Sequence, residues 1–94
     1  MPVSIQVTCG TTATQISAHG IGFKQMIVQD NSASTTTRLG DSTVVAGAYG
    51  TGKGLLISAA SANWGATSIQ SGVLSNWWLA APNGTVIDVT YEPA

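Results

Sequence analysis

The chain is 94 residues long, and only seven of its residues carry a full charge at neutral pH, with a formal net charge of −1. Charged residues make up 7% of the sequence, whereas an ordinary soluble domain has about 25%. The basic residues Lys24, Arg38 and Lys53 are far apart, which argues against a nucleic-acid partner because counterion release requires clustered positive charge. No apolar run approaches the roughly 20 residues of a membrane-spanning helix, so we expect no membrane partner.

At this length we expect one domain over residues 1–94. A domain of this size buries only about 60–65% of the surface of its unfolded chain, and a net charge near zero gives little repulsion between copies. Both features favour a homo-oligomer. Cys9 is the only cysteine and the first residues have no signal-peptide pattern, so the sequence predicts synthesis in a cytoplasm without export.

The alternation of apolar and polar residues predicts a series of short β-strands. The first is the clearest, because its apolar residues alternate strictly with polar ones. In the third, Phe23 and Ile27 lie on one face and Met26 and Val28 on the other, which predicts cover on both faces. The predicted strands before the C-terminal hairpin are residues 3–8, 12–18, 23–30, 35–39, 53–60 and 67–70, with a glycine-rich loop at 47–54 and a bend at 64–65.

The C-terminal hairpin is the most specific local prediction. Pro82 fixes its φ angle and Gly84 can adopt the left-handed conformation that closes a three-residue loop, which pairs Ala81 with Thr85. The core-facing pairs in this register are Leu79–Ile87, Trp77–Val89 and Ser75–Tyr91. The opposite face carries Ala80 with Val86, Trp78 with Asp88 and Asn76 with Thr90.

Seven or eight short strands with regular turn signals predict an all-β fold. The expected architecture is a single antiparallel β-sandwich or a jelly-roll-like barrel, with short strands and a C-terminal β-hairpin. We find neither a strict internal repeat nor a linker that divides the chain.

Residues 47–53 nearly match the phosphate-binding loop G-x-x-x-x-G-K-[ST]. The next residue is Gly54, where the motif requires a serine or threonine to bind magnesium. The following residues are strand-like, whereas a phosphate-binding loop leads into a helix. We therefore interpret the segment as a flexible loop that orders against a neighbouring surface, and we expect no cofactor.

Groups able to perform catalysis are few. We interpret His19, the only histidine, as a loop or packing residue, and Cys9 as a packed thiol. The carboxylates have purely structural roles in our interpretation, and two alternatives are open. Two of them could converge as a glycosidase pair, or some could form a structural calcium site. The four carboxylates are Asp30, Asp41, Asp88 and Glu92. No nucleophile–base pair is visible, so we expect no enzyme and assign no catalytic, cofactor-binding or metal-binding residue.

The tryptophans are the strongest sign of a binding function. The hairpin register places Trp77 in the core and Trp78 on the opposite face. Trp78 then belongs to a second core layer, to an interface, where tryptophan is enriched, or to a platform that stacks on a sugar ring. The candidate interface residues are Trp78, Val86, Trp64 and Tyr49.

Residues 26–32 form an apolar run ending in Gln-Asp-Asn-Ser, and residues 38–44 read Arg-Leu-Gly-Asp-Ser-Thr-Val. These two segments resemble parts of a recurrent small β-domain of tailed-bacteriophage structural proteins. In such domains a glycine-rich loop, an apolar strand and a short β-hairpin follow, and residues 75–80 and 84–92 fit that ending. The resemblance covers roughly residues 21–92.

The resemblance implies a virion component made in the host cytoplasm, either a capsid decoration protein or a domain of a head or tail fibre. Because the chain lacks long fibre repeats, we expect a stand-alone capsid decoration (cement) protein. Its expected partners are further copies of itself, as a trimer, and the major capsid protein or other virion subunits. Two alternatives stay open, which are a carbohydrate- or cell-surface-binding module using Trp64 and Trp78, and a small tail or baseplate component.

Overall fold

The computed structural model describes residues 2–30, 36–48, 50–57 and 66–94. The described chain consists mainly of β-strands, as its many threonine and valine residues favour, and one turn of 3-10 helix lies at Leu74–Asn76. The strands are β1 (Val3–Thr8), β2 (Thr14–Gln15), β3 (Gly22–Asp30), β4 (Thr37–Gly40), β5 (Leu55–Ile57), β6 (Ala66–Val73), β7 (Trp78–Ala80) and β8 (Val86–Pro93).

The described strands form two sheets of four strands each. Sheet A has the strand order β1-β8-β3-β6, and sheet B has the order β2-β7-β4-β5. All neighbouring strands run antiparallel. The predicted all-β, sandwich-like fold is confirmed, although the two sheets stay separate and do not close into a barrel.

Side chains from both sheets meet in one hydrophobic core cluster. Burying a side chain of leucine or phenylalanine size contributes about 1.5–3 kcal/mol relative to exposure, so this cluster is the main source of stability. Its largest fully buried apolar side chains are Phe23, Met26, Leu39, Ile57, Leu74, Leu79 and Ile87.

β3 contains a bulge that changes which residues face the core. Its ladder with β8 shifts by one residue between Phe23 and Gln25, which makes Lys24 the extra residue. Phe23 and Met26 are therefore both buried, although an undistorted strand would place them on opposite faces. The prediction of cover on both faces is wrong, because Ile27 is 42% exposed on the outer face.

The C-terminal turn forms, but the strands beside it do not pair with each other. Thr85 N–H donates to the Pro82 carbonyl at 3.1 Å, and Gly84 has a φ of +85°. The predicted hairpin register is nevertheless wrong, because β7 pairs with β2 and β4 whereas β8 pairs with β1 and β3. The turn carries the chain from sheet B to sheet A. Leu79 and Ile87 are fully buried as predicted, each through the core face of its own sheet.

The strand predicted at 3–8 is confirmed with the same bounds as β1. The remaining predicted strands are present with different bounds. The strand predicted at 12–18 shortens to the two residues of β2, and the one predicted at 67–70 lengthens to β6. The strand predicted at 53–60 is observed as β5, and residues 58–60 lie outside the described part of the chain. The predicted bend at 64–65 also lies outside it.

Candidate functional site

Arg38 holds the glycine-rich loop in place. Its side chain is only 6% exposed. Its Nε donates to the Gly47 carbonyl at 2.9 Å and its Nη1 donates to the Gly54 carbonyl at 2.8 Å. Charge-assisted hydrogen bonds of this length are among the stronger ones in proteins. The guanidinium group therefore ties both ends of the loop to β4.

The loop also uses its own backbone donors. The N–H groups of Gly47, Gly52 and Lys53 donate to backbone carbonyls at 3.0, 2.9 and 2.9 Å. A phosphate-binding loop instead directs its backbone N–H groups at the phosphate. Here these three N–H groups are bonded to carbonyls of the same chain. The arrangement fits a structural loop that orders against Arg38 of the same chain.

The Asp-Ser-Thr segment that follows Gly40, the last residue of β4, is a turn capped by a side chain. Asp41 Oδ1 accepts hydrogen bonds from the Thr43 N–H at 2.8 Å and from the Thr43 hydroxyl at 2.5 Å. These two bonds, the hydroxyl first, hold the pKa of Asp41 below its usual range. Part of the segment that resembles phage structural domains thus serves to form a turn.

Cys9 and Asp30 both lie in the interior. Burial, with a smaller contribution from the charge of Asp30, raises the pKa of the Cys9 thiol to about 11. The thiol is therefore protonated at neutral pH, whereas a nucleophilic cysteine needs a thiolate. Asp30 is fully buried and accepts a 2.6 Å hydrogen bond from the Thr37 hydroxyl.

The remaining titratable candidates lie on the surface. His19 is exposed in the connection between β2 and β3. Asp88 lies on the outer face of sheet A, where it accepts a 3.0 Å hydrogen bond from Gln6 Nε2. Within residues 2–30, 36–48, 50–57 and 66–94, no group of three or more His, Cys, Asp or Glu side chains is arranged to hold a metal ion.

The two predicted interface residues that the structure describes, Trp78 and Val86, are not brought together. Trp78 is half-buried on β7 of sheet B, and Val86 is 40% exposed on β8 of sheet A. Each is followed by a fully buried residue, Leu79 or Ile87, so Trp78 and Val86 lie on opposite outer faces of the sandwich. The other two candidates, Trp64 and Tyr49, lie outside the described residues.

Trp77 packs against the core cluster with its side chain partly buried. A Cβ atom placed on Gly72 would lie 3.5 Å from Trp77 Nε1 and 3.0 Å from Phe23 Cζ. Glycine at position 72 therefore leaves room for the two aromatic rings. The prediction that Trp77 is a core residue is confirmed only in part, because its side chain packs against the core cluster but is only partly buried. Its predicted pairing with Val89 is wrong because β7 and β8 lie in different sheets.

A shallow polar groove of about 660 Å³ on the outer face of sheet A was missed by sequence reasoning. The Gln6–Asp88 hydrogen bond and a 3.1 Å bond between the Ser4 and Thr90 hydroxyls cross it from β1 to β8. The polar positions of β1 were visible in the sequence, but the pairing of β1 with β8 has no local signature. The lining residues are Ser4, Ile5, Gln6, Gln29, Asp88 and Thr90.

Comparison of the sequence with protein-family models finds no matching family, and comparison with curated proteins finds no match. Among the described residues, no helix has the length and apolar character needed to cross a bilayer. The resemblance to phage structural domains therefore rests on the short segments quoted above.

Proposed function

We propose that the protein is a non-enzymatic structural subunit of a tailed-phage virion, namely a capsid decoration protein that forms a trimer and binds the shell. Beside the resemblance, one observation carries the proposal. The residues whose chemistry could serve catalysis or binding have structural roles in the fold. Arg38 clamps a loop, Asp41 caps a turn, and Cys9 is a buried, protonated thiol. This arrangement supports a role in which the protein acts through its surfaces.

The outer face of sheet A is suited to protein contact. It presents mainly amide and hydroxyl side chains, with Asp88 and Glu92 as its carboxylates. Such a face binds by shape and hydrogen bonding more than by charge. Many copies on a lattice would gain multivalent affinity, and the area that they bury between neighbouring shell subunits would offset internal pressure.

The test is attachment to shells. Purified protein is mixed with undecorated shells and sedimented, and we expect it to travel with the shells. Val86→Glu tests the outer face of sheet A and Trp78→Ala tests that of sheet B, while Thr12→Glu in an exposed loop is the control. Loss of attachment in one of the first two variants identifies the binding face. Binding to tails in place of heads would favour the tail or baseplate alternative.

The polar groove favours a second candidate function, the binding of neutral oligosaccharides. Its amide, hydroxyl and carboxyl groups match the hydroxyl groups of sugars. The sugar site proposed here is on sheet A, whereas the alternative predicted from the sequence used Trp64 and Trp78. A glycan array distinguishes the two functions. Tight binding to a defined glycan that is lost in Gln29→Ala, together with no attachment to shells, would favour the sugar-binding function.

A further inference from the structure

The two sheets differ in their edge strands. The edges of sheet B are short, with two residues in β2 and three in β5, and short edge strands hinder edge-to-edge pairing. The edges of sheet A are longer, with six residues in β1 and eight in β6. In the part of the chain that the structure describes, β1 pairs only with β8 and β6 pairs only with β3.

The edges of sheet A also lack the usual chemical protection. β1 reads VSIQVT and β6 reads ATSIQSGV, so neither contains the charge or proline that commonly guards an exposed edge. Pro2 has no N–H and therefore limits the β1 edge at one end. Ser71, with a φ of +46°, distorts β6 after Gln70. The regular stretches are residues 3–8 and 66–70, which are similar in length.

Each of these edge strands has one isoleucine on its core-facing side that remains partly exposed to solvent. Ile5 on β1 and Ile69 on β6 are partly buried and pack against the core cluster. They lie at opposite edges of the same sheet. A strand added beside either edge would cover the apolar area that remains exposed, which hydrophobic burial favours.

From these features we infer that sheet A continues from one copy of the chain to the next, with β6 of one copy pairing with β1 of a second copy. Three antiparallel pairings separate β1 from β6, so the two strands run in opposite directions. Copies related by rotation about an axis along the strands would therefore meet in an antiparallel ladder. The register that buries most apolar area places Ile5 opposite Ile69. The outward-facing pairs in this register are Ser4–Gln70 and Gln6–Ser68.

The inference rests on the proposed oligomer and specifies its interface. A head-to-tail contact uses two different surfaces of each copy and closes into a ring when the rotation permits. A trimer requires a contact of this kind, whereas pairing β6 with β6 would produce a two-fold dimer and leave β1 open. The occupant of each edge is thus a second copy of this chain.

Two double variants test the pairing by sedimentation equilibrium. In the proposed register S4K/Q70K places like charges opposite each other at every interface, and S4K/Q70E places opposite charges there. We expect association about tenfold weaker for S4K/Q70K than for S4K/Q70E. T12K/S42K, with the same two added charges on exposed turn residues, is the control and should associate as the unmodified chain does. Equal association of the two edge variants, or a monomeric unmodified chain at micromolar concentration, would overturn the inference.

Disulfide trapping keeps the test valid if S4K/Q70K does not fold. In a Cys9→Ala background, Ser4→Cys and Gln70→Cys chains should cross-link to each other when mixed, and neither should cross-link to itself. Self-cross-linking of either chain would overturn the head-to-tail pairing. Shell binding by a monomeric chain would remove this interface and the proposed trimer, and it would leave the proposed attachment to shells in place. A cross-linked ring that does not bind shells would keep the interface and remove the proposed attachment.

Discussion

Thr37 and Asp30 join the two sheets through a hydrogen bond of 2.6 Å from the threonine hydroxyl to the aspartate carboxyl group. Both residues are fully buried, with Asp30 at the end of β3 in sheet A and Thr37 at the start of β4 in sheet B. A buried carboxyl group depends on its protein donors, because water cannot replace them. The bond therefore helps to fix one sheet against the other.

Removing this donor should destabilise the fold. Thr37→Val keeps the shape of the side chain and removes the hydroxyl, so we expect the free energy of unfolding to fall by about 2 kcal/mol. Thr37→Ser keeps the hydroxyl and is the matched control, with a smaller loss. Urea denaturation measures both. Equal stability of the Val and Ser variants would show that the hydrogen bond contributes little.

Substitutions at two glycines of the glycine-rich loop allow the cost of backbone strain to be measured separately from the cost of a steric clash. Gly50 and Gly54 have φ angles of +89° and +116°. A Cβ on Gly54 would lie 2.6 Å from Val44 Cγ2 and 2.9 Å from the Leu39 carbonyl oxygen, whereas nothing lies within 4 Å of one on Gly50. We expect Gly50→Ala to cost about 1 kcal/mol and Gly54→Ala about 3 kcal/mol. Similar losses in thermal unfolding would contradict the packing around Gly54.

The C-terminal region shows what local sequence can and cannot predict. Gly84 and Pro82 specify a turn through their own backbone preferences, and the turn is present. The partner of each strand depends on distant segments, so the flanking strands enter different sheets. Alternation still predicted that Leu79 and Ile87 face the core, because each strand turns one face inwards whichever strand it pairs with.

The two adjacent tryptophans should respond differently to truncation. Trp77 packs against the core cluster, so Trp77→Ala should cost about 3 kcal/mol, at the low end for tryptophan because the ring is only partly buried. Trp78→Ala should cost less stability, because Trp78 is half-buried on the outer face of sheet B. Urea denaturation of both variants measures the two losses. The reverse pattern would mean that Trp78, and not Trp77, is the core residue.

The raised pKa of Cys9 predicts how the free energy of unfolding depends on pH. The fold raises its pKa from 9.0 to about 11, so the folded state favours the protonated thiol. The unfolded chain loses this proton first, and the contribution of Cys9 to stability is therefore present below about pH 9 and is lost between about pH 9 and 11. Cys9→Ala should show a smaller decline over this range in urea titrations. An identical decline would contradict the assignment.

The candidate site was less predictable than the fold. The sequence identified Arg38 as an isolated basic residue and as part of a resemblance, and its role depends on partners such as the Gly54 carbonyl, which is 16 residues away. Asp41 forms its turn with Thr43, two residues along the chain, which is a local tendency of aspartate in turns. The polar groove forms only because β1, near the first residue, pairs with β8, near the last residue. Long-range pairing of this kind leaves no periodic pattern in the sequence.

Cryo-EM of undecorated shells mixed with purified protein is the most direct test of our proposal that this protein decorates a phage shell. We expect ordered density at symmetric positions of the shell, with threefold clusters of the chain. Because charges are sparse, the number of bound copies should change little between about 50 and 200 mM salt, unlike a phosphate-driven complex. Shells without ordered density at either salt concentration, together with tight binding of the protein to a defined glycan, would contradict the proposed shell decoration.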